Sequence, residues 1–293
     1  MTPTTKPAAA PEPLIEVTGL SKTYGSGSSA VDVVHDVSFT VHAGRTTALV
    51  GESGAGKSTI AAIVVGLTSA TEGTVIVCGE DRSRIARRAS VRRRRARQLQ
   101  MVQQDPYSSL DPKQRVGAAI NEIVALHEAT LTAPERAARV LELLRSVGLD
   151  EQHRGLFPKA LSGGQRQRVA IARALAARPS VIVLDEAVAA LDVSVQAQVL
   201  NLLARLQRDT GVAYLFITHD LAVVRQLADE VLVLQAGRVV ECGHMDQVLD
   251  DPKDHYTQLL VASTPHPGWT PQLRSRLELE SATAVADHMR NSE

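Results

Sequence analysis

The most pointed chemistry in the sequence lies in one octet, Gly51-Glu52-Ser53-Gly54-Ala55-Gly56-Lys57-Ser58, followed by Thr59. Its spacing is G-x-x-x-x-G-K-[ST]. Glycines let the backbone curl until successive N–H groups point inward, and such a concavity suits anionic oxygens. Ile60-Ala61-Ala62-Ile63-Val64 continues the loop as a helix, whose N-terminus adds the positive end of its dipole. The pattern predicts that Lys57 reaches the β- and γ-phosphates of a nucleotide and that the Ser58 hydroxyl ligates Mg2+. A second constellation lies downstream. Val181-Ile182-Val183-Leu184 delivers Asp185 and Glu186 to the C-terminal end of a strand, the edge where ligands gather in open parallel sheets. Asp185 can hold Mg2+ through water, and Glu186 can polarise an attacking water as general base. The expected bound species are a nucleotide and Mg2+.

These groups need a scaffold, and the pattern of apolar runs supplies one. Thr46-Thr47-Ala48-Leu49-Val50, the run at Val181 and Val212-Ala213-Tyr214-Leu215-Phe216-Ile217 are apolar on successive residues, as in strands covered on both faces. Pro179 marks the end of the helix before the second run. Asp192 is the expected N-cap of a helix carrying Val195, Val199, Leu202, Leu203 and Leu206, with Gly211 as its stop. Strands alternating with helices imply an α/β fold with a mainly parallel sheet. Residues 14–45 and 73–80 read as an antiparallel layer. The stretch 105–178 reads as an inserted helical subdomain, amphipathic at Val140, Leu141, Leu144 and Val147. The fold expected is a P-loop NTPase, RecA-like core with an antiparallel β layer and that helical insertion. Residues 1–13, rich in Pro, Ala and Thr, read as a disordered tail. The core is expected to end near Val248, with 249–293 as a C-terminal extension.

Composition narrows the partners. Basic and acidic residues balance at 32 each, so no global field favours nucleic acid or lipid. Arginines do cluster over 82–97, at Arg82, Arg84, Arg87, Arg88, Arg92, Arg93, Arg94, Arg95 and Arg97. No aromatic residues interleave with them to stack on bases, and the run reads as a solvated or partner-facing surface. Cys78 and Cys242 stand apart from each other and from any C-x-x-C pair, which fits a reduced compartment. No run approaches the roughly 20 apolar residues of a membrane span, so a role at a membrane would come from docking.

Leu161-Ser162-Gly163-Gly164-Gln165, between the P-loop and V-I-V-L-D-E, resembles the signature motif of ABC ATPases. The resemblance runs from about Leu14 to Val248. In that family the signature closes on ATP held by the opposite subunit, giving two ATPs sandwiched in a head-to-tail dimer. Further positions match one by one. Tyr24 resembles the aromatic that stacks on adenine, and Gln104 the Q-loop glutamine that senses Mg2+ and attacking water, with Gln103 the other reading. His219 resembles the switch histidine that contacts the γ-phosphate, and Ala190-Leu191-Asp192 the D-loop. Two positions depart from the family pattern: Ala187 replaces a usual Pro, and Ala190 a usual Ser. Neither departure removes a catalytic group.

Three segments resemble the peptide/nickel importer branch: the run from Gln104 through Asp105-Pro106-Tyr107-Ser108-Ser109-Leu110-Asp111 to Pro112, the run from Asp192 to Leu203, and His255-Tyr256-Thr257-Gln258-Leu259-Leu260. That resemblance implies a second ATPase subunit, identical or not, two membrane-spanning permease subunits, and an extracytoplasmic substrate-binding protein acting indirectly. It implies a peripheral location on the cytoplasmic face of the membrane. Two other classes stay open at this point. One is a soluble ABC-type ATPase acting on nucleic acid through the 82–97 arginines; the other is an accessory ATPase of a phosphonate-cleaving complex. A small-molecule P-loop kinase is disfavoured by L-S-G-G-Q.

Overall fold

The computed structural model describes residues 13–105 and 110–264. Of the expected tail, only Pro13 is within this range, and it opens the first strand. The rest of the tail, Pro106-Tyr107-Ser108-Ser109 and 265–293 lie outside the described residues.

Two sheets are present. Strands β1 (Pro13–Tyr24), β2 (Val31–His42), β4 (Glu72–Val77) and β5 (Glu80–Asp81) form an antiparallel sheet in the order β2-β1-β4-β5. The second sheet holds β3 (Thr46–Val50), β6 (Leu99–Val102), β7 (Val181–Asp185), β8 (Ala213–Thr218), β9 (Glu230–Gln235) and β10 (Arg238–His244). Its order is β10-β9-β3-β8-β7-β6, and only the β10–β9 pairing is antiparallel. This is the mixed α/β architecture the alternation of strands and helices implies.

Strand alternation sorts the core into layers, because successive side chains point to opposite faces. Val181, Val183, Leu215 and Ile217 face the antiparallel sheet, together with Leu49. Helix α1 (Lys57–Val65) fills the space between the sheets with Ile60, Ala61, Ile63 and Val64. On the opposite face, Ile182, Leu184, Tyr214 and Phe216 meet α3 (Val116–His127), α4 (Ala133–Ser146), α5 (Gly163–Leu175) and α6 (Val193–Thr210). Ala48, Val50, Val231 and Val233 pack against α7 (Leu221–Leu227), α8 (Met245–Asp250) and α9 (His255–Ala262). The chain beyond Val248 therefore continues into the core, with Leu249, Tyr256, Leu260 and Val261 in this third layer.

Two details differ from the sequence expectation. In α4 the core position is Leu143, while Leu141 is only half-buried. The arginine run is not one solvated face. Arg82 is fully buried and donates from Nη2 to Gln98 Oε1 at 2.6 Å. Arg95 turns inward from α2 (Ala89–Gln98), bonding Glu80 and the carbonyls of Arg84 and Asp81. Burial pulls the Arg82 guanidinium down to about 10. These two side chains lock α2 to β5 and are withdrawn from any surface grip.

The sheet is also tied to α6. Tyr214, with no solvent exposure, donates its hydroxyl to the Leu203 carbonyl at 3.1 Å. That carbonyl lies within α6 and keeps its helical partner if the hydroxyl is removed. Tyr214→Phe should therefore lower the unfolding free energy by only about 1 kcal/mol, the net worth of one hydrogen bond. Urea denaturation tests this; an unchanged midpoint would show that the bond contributes nothing.

Candidate nucleotide site

Strand β3, the strand entering the 51–58 loop, is flanked by β8 and β9, so the loop opens at the C-terminal edge of the parallel sheet. A side chain at Gly51 would place its Cβ 2.1 Å from the Leu234 carbonyl oxygen; only glycine fits so close to β9. Gly56 precedes α1, and Lys57 begins it. The Lys57 side chain is nearly buried and donates from Nζ to the Gly51 and Glu52 carbonyls, both at 2.7 Å. Burial lowers its pKa, opposed by the negative charges of Glu186, Asp185 and Glu52. The three acids stand around one buried ammonium. Ser58 is exposed at the start of α1, and Thr59 is half-buried.

Asp185 ends β7. Its Oδ1 is buried and bonds nothing among the described residues. Burial raises its pKa, as does the adjacent Glu186 charge, while Lys57 opposes both. An unpartnered buried carboxylate oxygen is costly, and it suits a site that takes a cation. Such an oxygen fits Mg2+, which binds through one or two protein oxygens, waters and phosphates.

Glu186 adopts φ 47°, the left-handed region that non-glycine residues avoid. Its amide donates to the Ile217 carbonyl of β8 at 2.9 Å, which holds the turn. Such a conformation costs about 1–3 kcal/mol and tends to mark functional sites. The consequence is visible: Glu186 Oε1 lies 3.1 Å from Nδ1 of His219, which follows β8. An ionised carboxylate only accepts, so Nδ1 carries the hydrogen.

The signature residues form a separate constellation. Ser162 caps α5: its Oγ accepts the Gln165 amide at 3.2 Å, and Gln165 Oε1 accepts the Ser162 amide at 2.9 Å. Gln165 Nε2 is then the donor toward His153 Nε2, 3.2 Å away. His153 is buried and held by Asp150; the sequence offered no signal for it. A Cβ on Gly164 would lie 2.4 Å from Val195 Cγ1, and one on Gly163 3.5 Å from Leu191 Cδ2. The signature thus packs on the start of α6. Asp192 caps that helix, as expected, accepting from the Val195 amide at 3.0 Å and the Ser194 hydroxyl at 2.7 Å. Ala187 is buried and Ala190 exposed.

The structure therefore brings together Lys57, Asp185, Glu186 and His219, and separately Ser162, Gly163, Gly164, Gln165 and Asp192. No hydrogen bond or ion pair among the described residues joins the two sets. Tyr24 stands on β1, partly exposed, with Lys22 Nζ 4.6 Å from its ring centroid. Gln104 is exposed just beyond β6. Ser53 and Gly54 are exposed on the loop, and Ala55 is buried beneath it.

The family model for ABC transporter matches residues 34–189. The chain belongs to the ABC transporter family. It is 46% identical over 273 residues to a probable peptide ABC transporter ATP-binding protein, y4tS, of Sinorhizobium fredii, covering 91% of this chain and 76% of the relative. To the oligopeptide transport ATP-binding protein OppF of Bacillus subtilis it is 42% identical over 257 residues, covering 87% and 84%. Among solved structures, an ATP-binding cassette in a dimeric post-hydrolysis state bound to ADP and Pi matches with a TM-score of 0.69 and 28% identity, over 79% of this chain and 98% of that one. This ABC cassette binds nucleotide and hydrolyses ATP.

The contact between the signature and α6 is testable. Gly164→Ala should lower stability by about 1–3 kcal/mol, the usual range for overpacking against a stiff β-branched neighbour. Thermal denaturation measures it, and unchanged stability would contradict the close approach.

Proposed function

We propose that this cassette energises an importer for peptides or a related small solute, working at the cytoplasmic face of a membrane. The observation that carries the reading is the convergence of Lys57, Asp185 and the Glu186–His219 pair at one sheet edge. In this reading Lys57 and the amides of the 51–58 loop hold the triphosphate, and Tyr24 stacks on adenine. Ser58, Asp185 and Gln104 hold Mg2+. The ion, when bound, offsets phosphate charge and polarises phosphoryl oxygens. Glu186 accepts the proton of the attacking water, while His219 orients the carboxylate through Nδ1 and faces the γ-phosphate. Ser162, Gly163, Gly164 and Gln165 serve the ATP of a second ATPase subunit, with Asp192 at the junction.

The peptide reading is supported by relatives named as peptide and oligopeptide transport ATP-binding proteins. No helix among the described residues is long and apolar enough to cross a membrane, so the solute path belongs to permease subunits in this reading. A substrate-binding protein then delivers the solute from outside. ATP favours a closed ATPase pair and hydrolysis releases it, a shift of populations driven by differential binding.

In the purified complex, Glu186→Gln should cut hydrolysis by about 100-fold or more and leave ATP affinity unchanged. Turnover at the wild-type rate would remove Glu186 as the base. Peptide, with the binding protein present, should stimulate the wild-type ATPase in lipid vesicles; stimulation by nucleic acid instead would refute the importer reading.

A further inference from the structure

The C-terminal helix reaches back to the phosphate loop. The Glu52 amide donates to the hydroxyl of Tyr256, at 3.1 Å, across 204 positions of sequence. That amide belongs to the same peptide unit as the Gly51 carbonyl, which accepts from Lys57 Nζ at 2.7 Å. One planar group is therefore held at both ends. Fixing its N–H fixes the direction of its C=O, and each bond polarises the other. Gly51 has little other freedom, because β9 presses against it at the Leu234 carbonyl.

Tyr256 is itself held in place. Asp254 caps α9, accepting from the amides of Tyr256 at 2.8 Å and Thr257 at 3.3 Å. Glu241 on β10 accepts from the amides of Lys253 at 2.8 Å and Asp254 at 3.1 Å. The Tyr256 ring packs in the third core layer with Leu260 and Val261. A chain of contacts thus runs from β10 through the cap of α9 to the hydroxyl and on to the loop. Burial raises the phenol's pKa, so the hydroxyl keeps its hydrogen and stays a neutral acceptor.

We propose that Tyr256 is a positioning residue for ATP binding: its hydroxyl orients the Gly51–Glu52 peptide and, through the Gly51 carbonyl, the Lys57 ammonium. It acts through Lys57 and touches no reacting atom. The proposal rests on the nucleotide site described above and adds a residue to it from outside the motif set. It also makes α9 a working part of that site.

The test uses the full chain and two readouts: equilibrium binding of ATP and steady-state turnover in the assembled complex. Tyr256→Phe keeps the ring and removes the hydroxyl. It should weaken ATP binding and raise KM by about 2- to 12-fold, the worth of one hydrogen bond, with kcat at saturating ATP unchanged. Leu249→Ala is the control, since it thins the same core layer from α8 and leaves Tyr256 and its helix unchanged; it should lower the melting temperature and leave ATP binding as in wild type. Unchanged binding in Tyr256→Phe overturns the proposal. So does weakening in both variants in proportion to lost stability, because α9 would then be mere support. Binding can be read even if wild-type turnover is absent, and that absence would count against the proposed function alone.

Discussion

Lys57 is the cation around which this site is arranged. An ammonium is expensive to bury unless carbonyls and opposite charges compensate it. Here two loop carbonyls accept from it, and the charges of Glu186, Asp185 and Glu52 oppose the lowering of its pKa by burial. In the proposed reading this buried cation meets a triphosphate, and binding exchanges one set of its partners for another. The sheet order serves this arrangement. With β3 between β8 and β9, the strand ends bearing the loop, Asp185 and His219 emerge along one edge.

The signature obeys a different constraint. Its helix start is closed by reciprocal bonds between Ser162 and Gln165, and its backbone is pressed onto Val195 at Gly164, where any side chain would force Val195 to shift. It packs on the start of the helix that Asp192 caps. Among the described residues no hydrogen bond or ion pair ties it to the P-loop set. In the proposed reading two glycine-bearing helix starts make one site, the second of them supplied by a neighbouring subunit. Ala190, exposed beside Asp192, leaves that junction without the hydroxyl the family usually has.

Much of this was legible in the sequence, for physical reasons that differ by element. Strands β3, β7 and β8 are buried on both faces, so each reads as an unbroken apolar run. The start of α6 was readable because a capping Asp precedes a strong 3.6-residue apolar period. Strands β6 and β10 gave weaker signals. The first is four residues with a polar Gln100, and the last is an edge strand with no fully buried residue. The motif residues could be named because their chemistry is local. The parts that Arg82, His153 and Tyr256 play could not be read, because a partner 12 to 204 positions away defines what each does. The left-handed turn at Glu186 was equally silent, since no neighbouring residue type demands it.

The claim that a second subunit completes the site can be tested by cross-linking in the purified complex. A cysteine replaces Ser53 in this chain, and a second replaces the first signature glycine of the other ATPase subunit. The account predicts a disulfide between the two chains that forms with ATP and is lost when Lys57 is also changed to alanine. No cross-link between the chains at saturating ATP would contradict it.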